Sequence, residues 1–350
     1  MHKHITIANR KVGYDYPPLV IAEIGINHNG SLAEAKKLVD AAHEAGAEIV
    51  KHQTHIPDEE MSVMAQKAIP GNSDQSIWDI MSRCALNEED EFELKKYVEQ
   101  KGMIFLSTPF SFAAVDRLER MGVCAYKIGS GEMNNYKFVK YVASKMKPII
   151  LSTGMNDLEA VKKAVECIRV YHDNFAILHT TNLYPTPPKL IRLGALKELE
   201  KAFPNEIIGL SDHSLNNLAC LAATALGASI LERHFTDTKQ RYGEDIICSM
   251  TTEECRELIE NSREIFQMRD GEKKAAPQEK VTIKFAFSTL IAAHDLPAGH
   301  VIEDADLTTK RPYLCGILAK DIHLVIGRKL THNVAKGQHL EWSDVEGSAC

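Results

Sequence analysis

The stretch SILERHFTD (residues 229–237) starts as an apolar, β-branched strand and ends in a cluster of ionisable side chains. Seven earlier runs share this design, and they are LVIAEIG (19–25), EIVKHQT (48–54), MIFLSTP (103–109), CAYKIGS (124–130), PIILSTG (148–154), FAILHTT (175–181) and IIGLSDH (207–213). Between the runs lie segments such as residues 31–46 and 156–171, whose apolar residues recur at helical spacing. Eight strands that alternate with helices predict an α/β fold of the (β/α)8 or TIM barrel type.

A doubly wound sheet is the competing interpretation of the same alternation. Such a sheet usually has fewer strands, and a dinucleotide-binding one carries the fingerprint GxGxxG after its first strand. The first run here continues as EIGINHNG, which lacks that fingerprint. The barrel is therefore the prediction, with residues 55–86 as a long loop over its mouth.

The character of the sequence changes after about residue 268. Residues 269–280, RDGEKKAAPQEK, are charged and have no apolar periodicity, which is typical of a linker. The remainder contains an internal repeat, LPAGHVIEDADL (296–307) and VAKGQHLEWSDV (334–345), which predicts a small β-rich domain. We expect the barrel in residues 1–270, the linker in 271–283 and the small domain in 284–350.

The overall charge and the lack of long apolar runs limit the possible partners. The 350 residues carry a formal net charge of −7, which argues against nucleic acid and anionic membranes, because both attract basic surfaces. No apolar run could span a bilayer and no signal peptide is recognisable, so we expect a cytoplasmic protein. The eight cysteines are scattered without a CxxC pair, which predicts free thiols rather than a cysteine metal site.

Nearly every predicted strand ends in polar residues, and the reactive face of a (β/α)8 barrel lies at the carboxyl ends of its strands. The residues at these ends are Glu23, Lys51, Gln53, Ser107, Thr108, Lys127, Ser130, Ser152, Thr153, His179, Asn182, Ser211, His213, Glu232 and His234. Lys51 and Lys127 are the most informative, because a buried ammonium group is costly unless it is paired. Either each lysine reaches solvent or pairs with a carboxylate such as Glu23, or both lysines and the nearby hydroxyls form an anion pocket.

His213 and His234 end strands that are predicted to be neighbours. Adjacent parallel strands lie ~4.8 Å apart, so the two imidazoles could share one divalent metal ion. Histidine combined with oxygen ligands suits Mn²⁺, Zn²⁺, Fe²⁺ or Co²⁺. Alternatively the histidines are simply hydrogen-bonded, one of them to Asp212 or Glu232, and the spacing leaves both possibilities open. Arg233 points the other way along the strand and is expected to be structural.

Seven stretches of the chain together resemble the bacterial sialic acid synthases. They are IAEIGINHNGSLAEAKKLVDAAHEAGAEIVKHQT (21–54), IFLSTPF (104–110), YKIGSGEMNNY (126–136), PIILSTGM (148–155), TNLYPTPP (181–188), IGLSDHS (208–214) and ILERHFT (230–236). The small domain resembles the antifreeze-like (SAF) domain of that family, so the resemblance covers essentially the whole chain. It implies a transferase that condenses phosphoenolpyruvate with N-acetylmannosamine and water to give N-acetylneuraminate and phosphate.

The resemblance also implies partners and residue roles. His213 and His234 would hold the divalent metal, typically Mn²⁺, with Mg²⁺ or Co²⁺ as other possibilities. The residues that would bind phosphoenolpyruvate are Lys51, Thr108, Lys127, Ser130, Ser152, Asn182 and Ser211. Those that would bind the sugar are Gln53, Glu132, Tyr184, Asp245, Phe285 and Arg311. The catalytic set would be Glu23, Lys51, Lys127 and Glu132, with Glu23 orienting or deprotonating the attacking water. Members of this family are domain-swapped homodimers in which the small domain caps the partner's barrel.

Other functions fit parts of the pattern. The same chemistry on a 2,4-diacetamido-6-deoxy sugar would give legionaminate or pseudaminate, and Thr180 and Pro188 near the sugar wall bear on that choice. An acceptor with a terminal phosphate would need a further basic site, for which the sequence offers no obvious residue. A metal-dependent aldolase would not need two lysines. A binding module on an inactive barrel is disfavoured by the intact set of lysines and histidines.

Overall fold

The chain forms two units, whose boundary lies between Asp270 and Gly271. The computed structural model describes residues 2–347, so Met1 and residues 348–350, including the predicted free thiol of Cys350, lie outside the described part. The seven cysteines within the described part are free. None of the helices in residues 2–347 is both long and apolar enough to cross a membrane.

Eight parallel strands form the sheet of the first unit, as the sequence predicts. A hairpin of β1 (His4–Ile7) and β2 (Arg10–Gly13) precedes them. The barrel strands are β3 (Leu19–Gly25), β4 (Ile49–Thr54), β5 (Ile104–Pro109), β6 (Tyr126–Ile128), β7 (Ile149–Ser152), β8 (Phe175–Thr180), β9 (Ile207–Asp212) and β10 (Ile230–His234). The hydrogen-bonded order is β5-β4-β3-β10-β9-β8-β7-β6, and the two end strands, β5 and β6, are adjacent. The predicted barrel is confirmed.

The hairpin β1–β2, which was not predicted from the sequence, fills the amino-terminal end of the barrel. Its strands pair antiparallel, with Ile5 opposite Val12. Ile5, Ile7 and Val12 are buried against residues at the starts of the barrel strands, among them Leu19 and Ile207. Because apolar side chains fill this end, polar chemistry is left to the opposite end, where the strands finish.

The first unit contains the α-helices α1 (Leu32–Glu44), α2 (Pro57–Glu60), α3 (Ile77–Cys84), α4 (Glu88–Gln100), α5 (Phe112–Met121), α6 (Tyr136–Ala143), α7 (Leu158–Arg169), α8 (Pro188–Ile191), α9 (Gly194–Ala202), α10 (Leu218–Ala225) and α11 (Thr252–Met268). Helices α1, α4, α5, α6, α7, α9, α10 and α11 pack their apolar faces on the outer surface of the sheet. The side chains of Ser31, Asn87 and Asp157 accept backbone hydrogen bonds in the first turn, as N-cap residues do. Helix α5 ends at Gly122, whose φ of 67° is the left-handed conformation that favours glycine.

Residues 55–86 are predicted to be a long loop, but helices α2 and α3 form within them. Helix α3 is capped by Ser76, whose side chain accepts a hydrogen bond from the backbone of Asp79. Arg83 of α3 lies 2.9 Å from Glu244, in the segment that follows β10. The insertion is thus attached to the carboxyl-terminal side of the barrel.

The second unit is a small domain with its own apolar core. Its first α-helix is α12 (Lys280–Ala286), so the predicted linker 271–283 ends inside a helix. Strands β11 (Thr289–Ala292) and β12 (Leu307–Lys310) pair antiparallel. The helix was missed because VTIKFA also fits a strand pattern.

The repeat in the sequence is a repeat in the structure. In both copies a glycine adopts positive φ, 78° at Gly299 and 81° at Gly337. In both, an aspartate then accepts a 2.7 Å hydrogen bond from a backbone N–H three residues earlier, Asp306 from Glu303 and Asp344 from Glu341. The copies are joined by an antiparallel bridge between residues 296 and 334.

Candidate active site

The carboxyl ends of the barrel strands surround a cavity of about 160 Å³. The predicted site residues that line it are Lys51, Gln53, Thr108, Lys127, Ser130, Glu132, Ser152, Asn182, Tyr184, Ser211, His213 and His234. A larger cleft of about 580 Å³ lies at the amino-terminal end, but its Lys3 and Glu206 pair with each other at 2.5 Å. The chemically varied groups therefore converge in the smaller cavity.

Lys51 and Lys127 are both buried and both paired with carboxylates. The ammonium group of Lys51 lies 2.5 Å from Glu23 and donates to Thr108 at 3.1 Å. That of Lys127 lies 3.2 Å from Glu232, whose same oxygen is 3.8 Å from Lys51. The pairing of Lys51 with Glu23, which the sequence left open, is thus present, and the two lysines also share the wall of one cavity.

Glu232 is the charged centre of this arrangement. Burial opposes its ionisation, but the nearby ammonium groups of Lys127 and Lys51 outweigh burial and lower its pKa to about 2. Its carboxylate also accepts a 3.1 Å hydrogen bond from Ser211. Two ammonium groups and two carboxylates leave the inner pocket with no net charge.

Hydroxyl and amide groups complete the pocket around the lysines. Ser152 accepts a 2.7 Å hydrogen bond from Lys127, and Ser130 accepts one of 3.0 Å from the backbone N–H of Gly154. The side-chain oxygen of Asn182 is buried without a hydrogen-bond partner. A Cβ atom on residue 154 would overlap that oxygen, so glycine is required for this close approach.

His213 and His234 lie side by side, with ring centroids 5.4 Å apart. Burial lowers the pKa of His213 to about 3 and that of His234 to about 4, so both imidazoles are neutral. The Nδ1–H group of His213 donates to the carbonyl of Thr181 at 2.7 Å, which leaves Nε2 with a free lone pair. The alternative of a hydrogen bond to Asp212 or Glu232 is not what the structure contains, since those carboxylates bind Ser214 and the lysines.

The two imidazoles are suitable ligands for a divalent metal ion. Nδ1 of His234 is buried without a hydrogen-bond partner and lies 3.6 Å from Asp245. No group of three or more His, Cys, Asp or Glu side chains is arranged for a metal within residues 2–347. The protein therefore offers two neutral nitrogen ligands, and the remaining ligands of an ion would come from substrate and water. Such a partial ligand set would leave several positions on an ion open, whereas a structural zinc site is closed by four protein ligands.

The residues predicted to bind the sugar are divided between the two units. Gln53, Glu132 and Tyr184 line the cavity, whereas Asp245 is buried 3.6 Å from His234 and is not one of the lining residues. Burial raises the pKa of Glu132 to about 7, and one of its oxygens has no hydrogen-bond partner. Phe285 and Arg311 belong to the second unit, where both side chains are exposed.

Phe110 and His55, to which no role was assigned from the sequence, pack against each other beside the cavity. Phe110 lines the cavity, and its ring stacks on that of His55 with centroids 4.3 Å apart. Phe110 directly follows β5, so its position at a strand end was a usable signal. His55 binds Glu60 of helix α2, a contact between residues that no sequence pattern connects.

Arg233 is structural, as expected, but it acts beside the site. Its guanidinium donates to Asn217 at 2.6 Å and to the carbonyl of Ser214 at 2.9 Å. It also lies 3.6 Å from Asp212, whose carboxylate accepts a 2.6 Å hydrogen bond from Ser214. Arg233 on β10 thus holds the residues on either side of His213.

Known proteins and family models match nearly the whole chain. The model of the NeuB family matches residues 38–274, and that of the SAF domain matches residues 288–346. The chain is 34% identical to the N,N'-diacetyllegionaminic acid synthase of Legionella pneumophila, over 97% of this chain and 99% of that protein. It is 30% identical to the N-acetylneuraminate-9-phosphate synthase of Homo sapiens, over 92% and 90%. The structure resembles that of an N-acetylneuraminic acid (sialic acid) synthetase from Leptospira borgpetersenii, with a TM-score of 0.74, 27% identity and coverage of 81% and 96%.

Proposed function

Because this chain belongs to the NeuB family, we propose that it condenses phosphoenolpyruvate with an N-acetylated sugar aldehyde and water, giving a sialic-acid-type sugar acid and phosphate. The observation that supports this reaction best is one cavity lined by two buried lysines and two neutral histidines. Ammonium and hydroxyl groups suit the phosphate and carboxylate of phosphoenolpyruvate. Neutral imidazoles suit a metal ion.

The charge of the pocket supports a metal-dependent reaction. Lys51 and Lys127 are balanced by Glu23 and Glu232, so the protein alone does not neutralise an incoming phosphate and carboxylate. We propose that His213 and His234 hold a divalent ion, with Mn²⁺ as the first choice. When bound, such an ion would supply Lewis-acid polarisation of the aldehyde oxygen.

The polar residues around the cavity would hold the enol phosphate and guide water. Carbon 3 of phosphoenolpyruvate forms a bond with the aldehyde carbon of the sugar, and positive charge develops at carbon 2 of phosphoenolpyruvate. Water adds there, and the tetrahedral intermediate loses phosphate by cleavage of the C–O bond. Glu23, which is buried beside Lys51, would orient this water or take its proton. The seven polar residues expected to bind phosphoenolpyruvate would keep its phosphate and carboxylate fixed throughout, which lowers the barrier without reorganisation.

The acceptor sugar is the finer part of the proposal. We propose N-acetylmannosamine, which would give N-acetylneuraminate, with Gln53, Glu132, Tyr184 and Asp245 as its ligands in the barrel. A 2,4-diacetamido-6-deoxyhexose is the second candidate, favoured by the 34% identity to a legionaminic acid synthase against 30% to the human enzyme. Both acceptors carry an aldehyde and at least one acetamido group.

We further propose a homodimer in which the small domain of one copy covers the barrel mouth of the other. Large apolar side chains are exposed on segments that follow barrel strands, including Val63, Met64 and Leu183. Phe285 and Leu314 are exposed on the small domain. Contiguous apolar patches on a surface mark interfaces, and burial of these side chains against a partner would remove them from water. In this dimer Phe285 and Arg311 would reach the sugar bound in the partner's barrel.

A phosphate-release assay tests the proposed reaction. The protein is incubated with phosphoenolpyruvate, Mn²⁺ and one acceptor from a panel of N-acetylmannosamine, its 6-phosphate and the two epimeric 2,4-diacetamido-6-deoxy sugars. We expect phosphate release with a non-phosphorylated acceptor. The reaction class is wrong if no acceptor releases phosphate, or if ¹⁸O from the bridging C–O–P position appears in the sugar acid.

A further inference from the structure

A chain of hydrogen bonds connects the insertion after β4 to the centre of the barrel. It runs from Glu60 to His55, from His55 to Gln53 and from Gln53 to Glu23, which forms an ion pair with Lys51. Gln53 and Glu23 have roles in the proposed function, whereas His55 and Glu60 have none. Both are nevertheless almost fully buried, with side-chain exposures of 4% and 6%.

The donor and the acceptor of each hydrogen bond in this chain can be assigned by starting from Glu23 and Lys51. Glu23 forms a 2.5 Å ion pair with Lys51, so its carboxylate can only accept. The amide group of Gln53 that lies 2.8 Å from Glu23 must therefore be the NH₂ group. There is room for this contact because residue 25 is a glycine, with φ of 35°, and a Cβ there would press on both side chains.

His55 fixes the other end of the amide. With the NH₂ group of Gln53 turned to Glu23, its carbonyl oxygen faces Nε2 of His55 at 3.0 Å, so Nε2 must carry the proton. Nδ1 of His55 lies 2.9 and 3.1 Å from the two carboxylate oxygens of Glu60. This contact also needs a proton, either on Nδ1 of His55 or on Glu60. In both cases Nε2 of His55 keeps its own proton.

We propose that His55 is a positioning residue that locks the amide of Gln53 in the orientation that presents an N–H donor to the cavity. The inference rests on the proposed function, since Gln53 lines the cavity in which the acceptor would bind. One N–H of Gln53 is used by Glu23 and its oxygen is used by His55, so one N–H is free. The acceptor group that meets Gln53 is therefore an oxygen with an available lone pair, a hydroxyl or an acetamido carbonyl.

The test is a double-mutant cycle between residues 55 and 53. His55→Phe keeps an aromatic ring to stack on Phe110 but removes both hydrogen bonds. We expect the KM for the acceptor to rise about tenfold, the size of one lost hydrogen bond, with the KM for phosphoenolpyruvate unchanged. In a Gln53→Met background His55→Phe should have no further effect, because its influence passes through Gln53. An equal effect in both backgrounds would overturn the proposal.

His52→Phe is the matched control. His52 is also buried on β4, and both of its nitrogens lack hydrogen-bond partners, so the same substitution removes no hydrogen bond. It should leave the KM for the acceptor unchanged. Thermal unfolding of each variant identifies any that fails to fold.

A spectroscopic measurement separates this inference from the proposed function. In protein labelled with ¹⁵N-histidine, the signals of His55 are assigned by their loss in His55→Phe. A proton on Nε2 supports the lock even if no acceptor in the panel reacts, in which case only the proposed function fails. An Nε2 without a proton in the active wild type would overturn the inference and leave the synthase activity standing.

Discussion

Glu232 is a partner of two buried ammonium groups. Removal of either lysine should therefore destabilise the protein, because the buried carboxylate of Glu232 loses a cation. Lys127→Met leaves Glu232 without its nearer cation, at a site where both partners are almost fully buried. Breaking such a pair costs about 3–5 kcal/mol, because Glu232 then keeps only the more distant Lys51, which is already paired with Glu23. We expect the free energy of unfolding in urea to fall by that amount and activity to be lost.

The double variant Lys127→Met/Glu232→Gln should recover most of the lost stability but none of the activity. Lys145→Met is the control, since its partner Asp116 is half exposed and the pair lies at the surface. Its cost should stay below about 1 kcal/mol. If the double variant is no more stable than Lys127→Met, the buried pair is not the source of the stability.

Glu132 should make stability fall as the pH rises. Burial raises its pKa in the folded chain to about 7 from a usual value of 4.5, so the folded state keeps a proton that the unfolded chain has released. Stability from this group is fully present below pH 4.5 and is lost as the pH rises through 7. Glu132→Gln should therefore lose less stability than the wild type between pH 5 and pH 7.5, as measured by urea unfolding.

The matched control is Glu159→Gln, which replaces an exposed carboxylate and disturbs no buried group. A Glu132→Gln variant with the wild-type pH dependence would contradict the buried, protonated state of Glu132.

At the scale of elements, strand β10 and the segment after β9 act together through Arg233. Arg233→Met keeps the volume of the side chain but removes its hydrogen bonds to Ser214 and Asn217, so His213 loses its support. If His213 and His234 hold the metal, its dissociation constant should rise roughly 10- to 100-fold, as for other residues that orient metal ligands. Calorimetric titration with Mn²⁺ in the absence of substrates measures this change.

Arg233→Lys should restore part of the affinity, because it keeps a cation beside Asp212. Arg256→Met on the exposed face of α11 is the control, and its Mn²⁺ affinity should equal that of the wild type. Unchanged affinity in Arg233→Met would show that the histidines are held by other contacts.

The same elements indicate how far the sequence could predict the structure. All eight barrel strands were predictable, because each is a short apolar run with a polar end such as Lys127 or His234. Eight such strands predict a closed barrel, so their carboxyl ends were expected to surround one cavity. The hairpin β1–β2 was missed because two strands of four residues carry too little periodicity. Contacts such as His55 with Glu60 or Arg233 with Asn217 depend on side-chain packing between segments, which no local pattern encodes.

At the scale of the whole molecule, the proposed exchange of small domains can be tested by complementation. Lys127→Met inactivates the barrel and Arg311→Ala is expected to inactivate the small domain. If each site combines one barrel with the partner's small domain, a mixed dimer of the two variants has one intact site. Random mixing would then give about a quarter of the wild-type activity, because half of the dimers are mixed and each has one working site of two.

The variants are unfolded and refolded together, and phosphate release is compared with that of each variant alone. If the small domain serves its own barrel, no combination contains an intact site and the mixture stays inactive. A monomer in light scattering would exclude the exchange directly.

The charge balance of the inner pocket also determines how the binding of one ligand affects the binding of the other. Lys51 and Lys127 are already satisfied by Glu23 and Glu232, so a lone anion gains little attraction on entering and must compete with these carboxylates. A lone cation meets two neutral imidazoles, which attract it less than carboxylates would. Each ligand supplies the counter-charge that the other lacks, so the affinity for either should increase when the other is present. Occupancy of this site should thus behave as a cooperative, coupled event rather than as two independent ones.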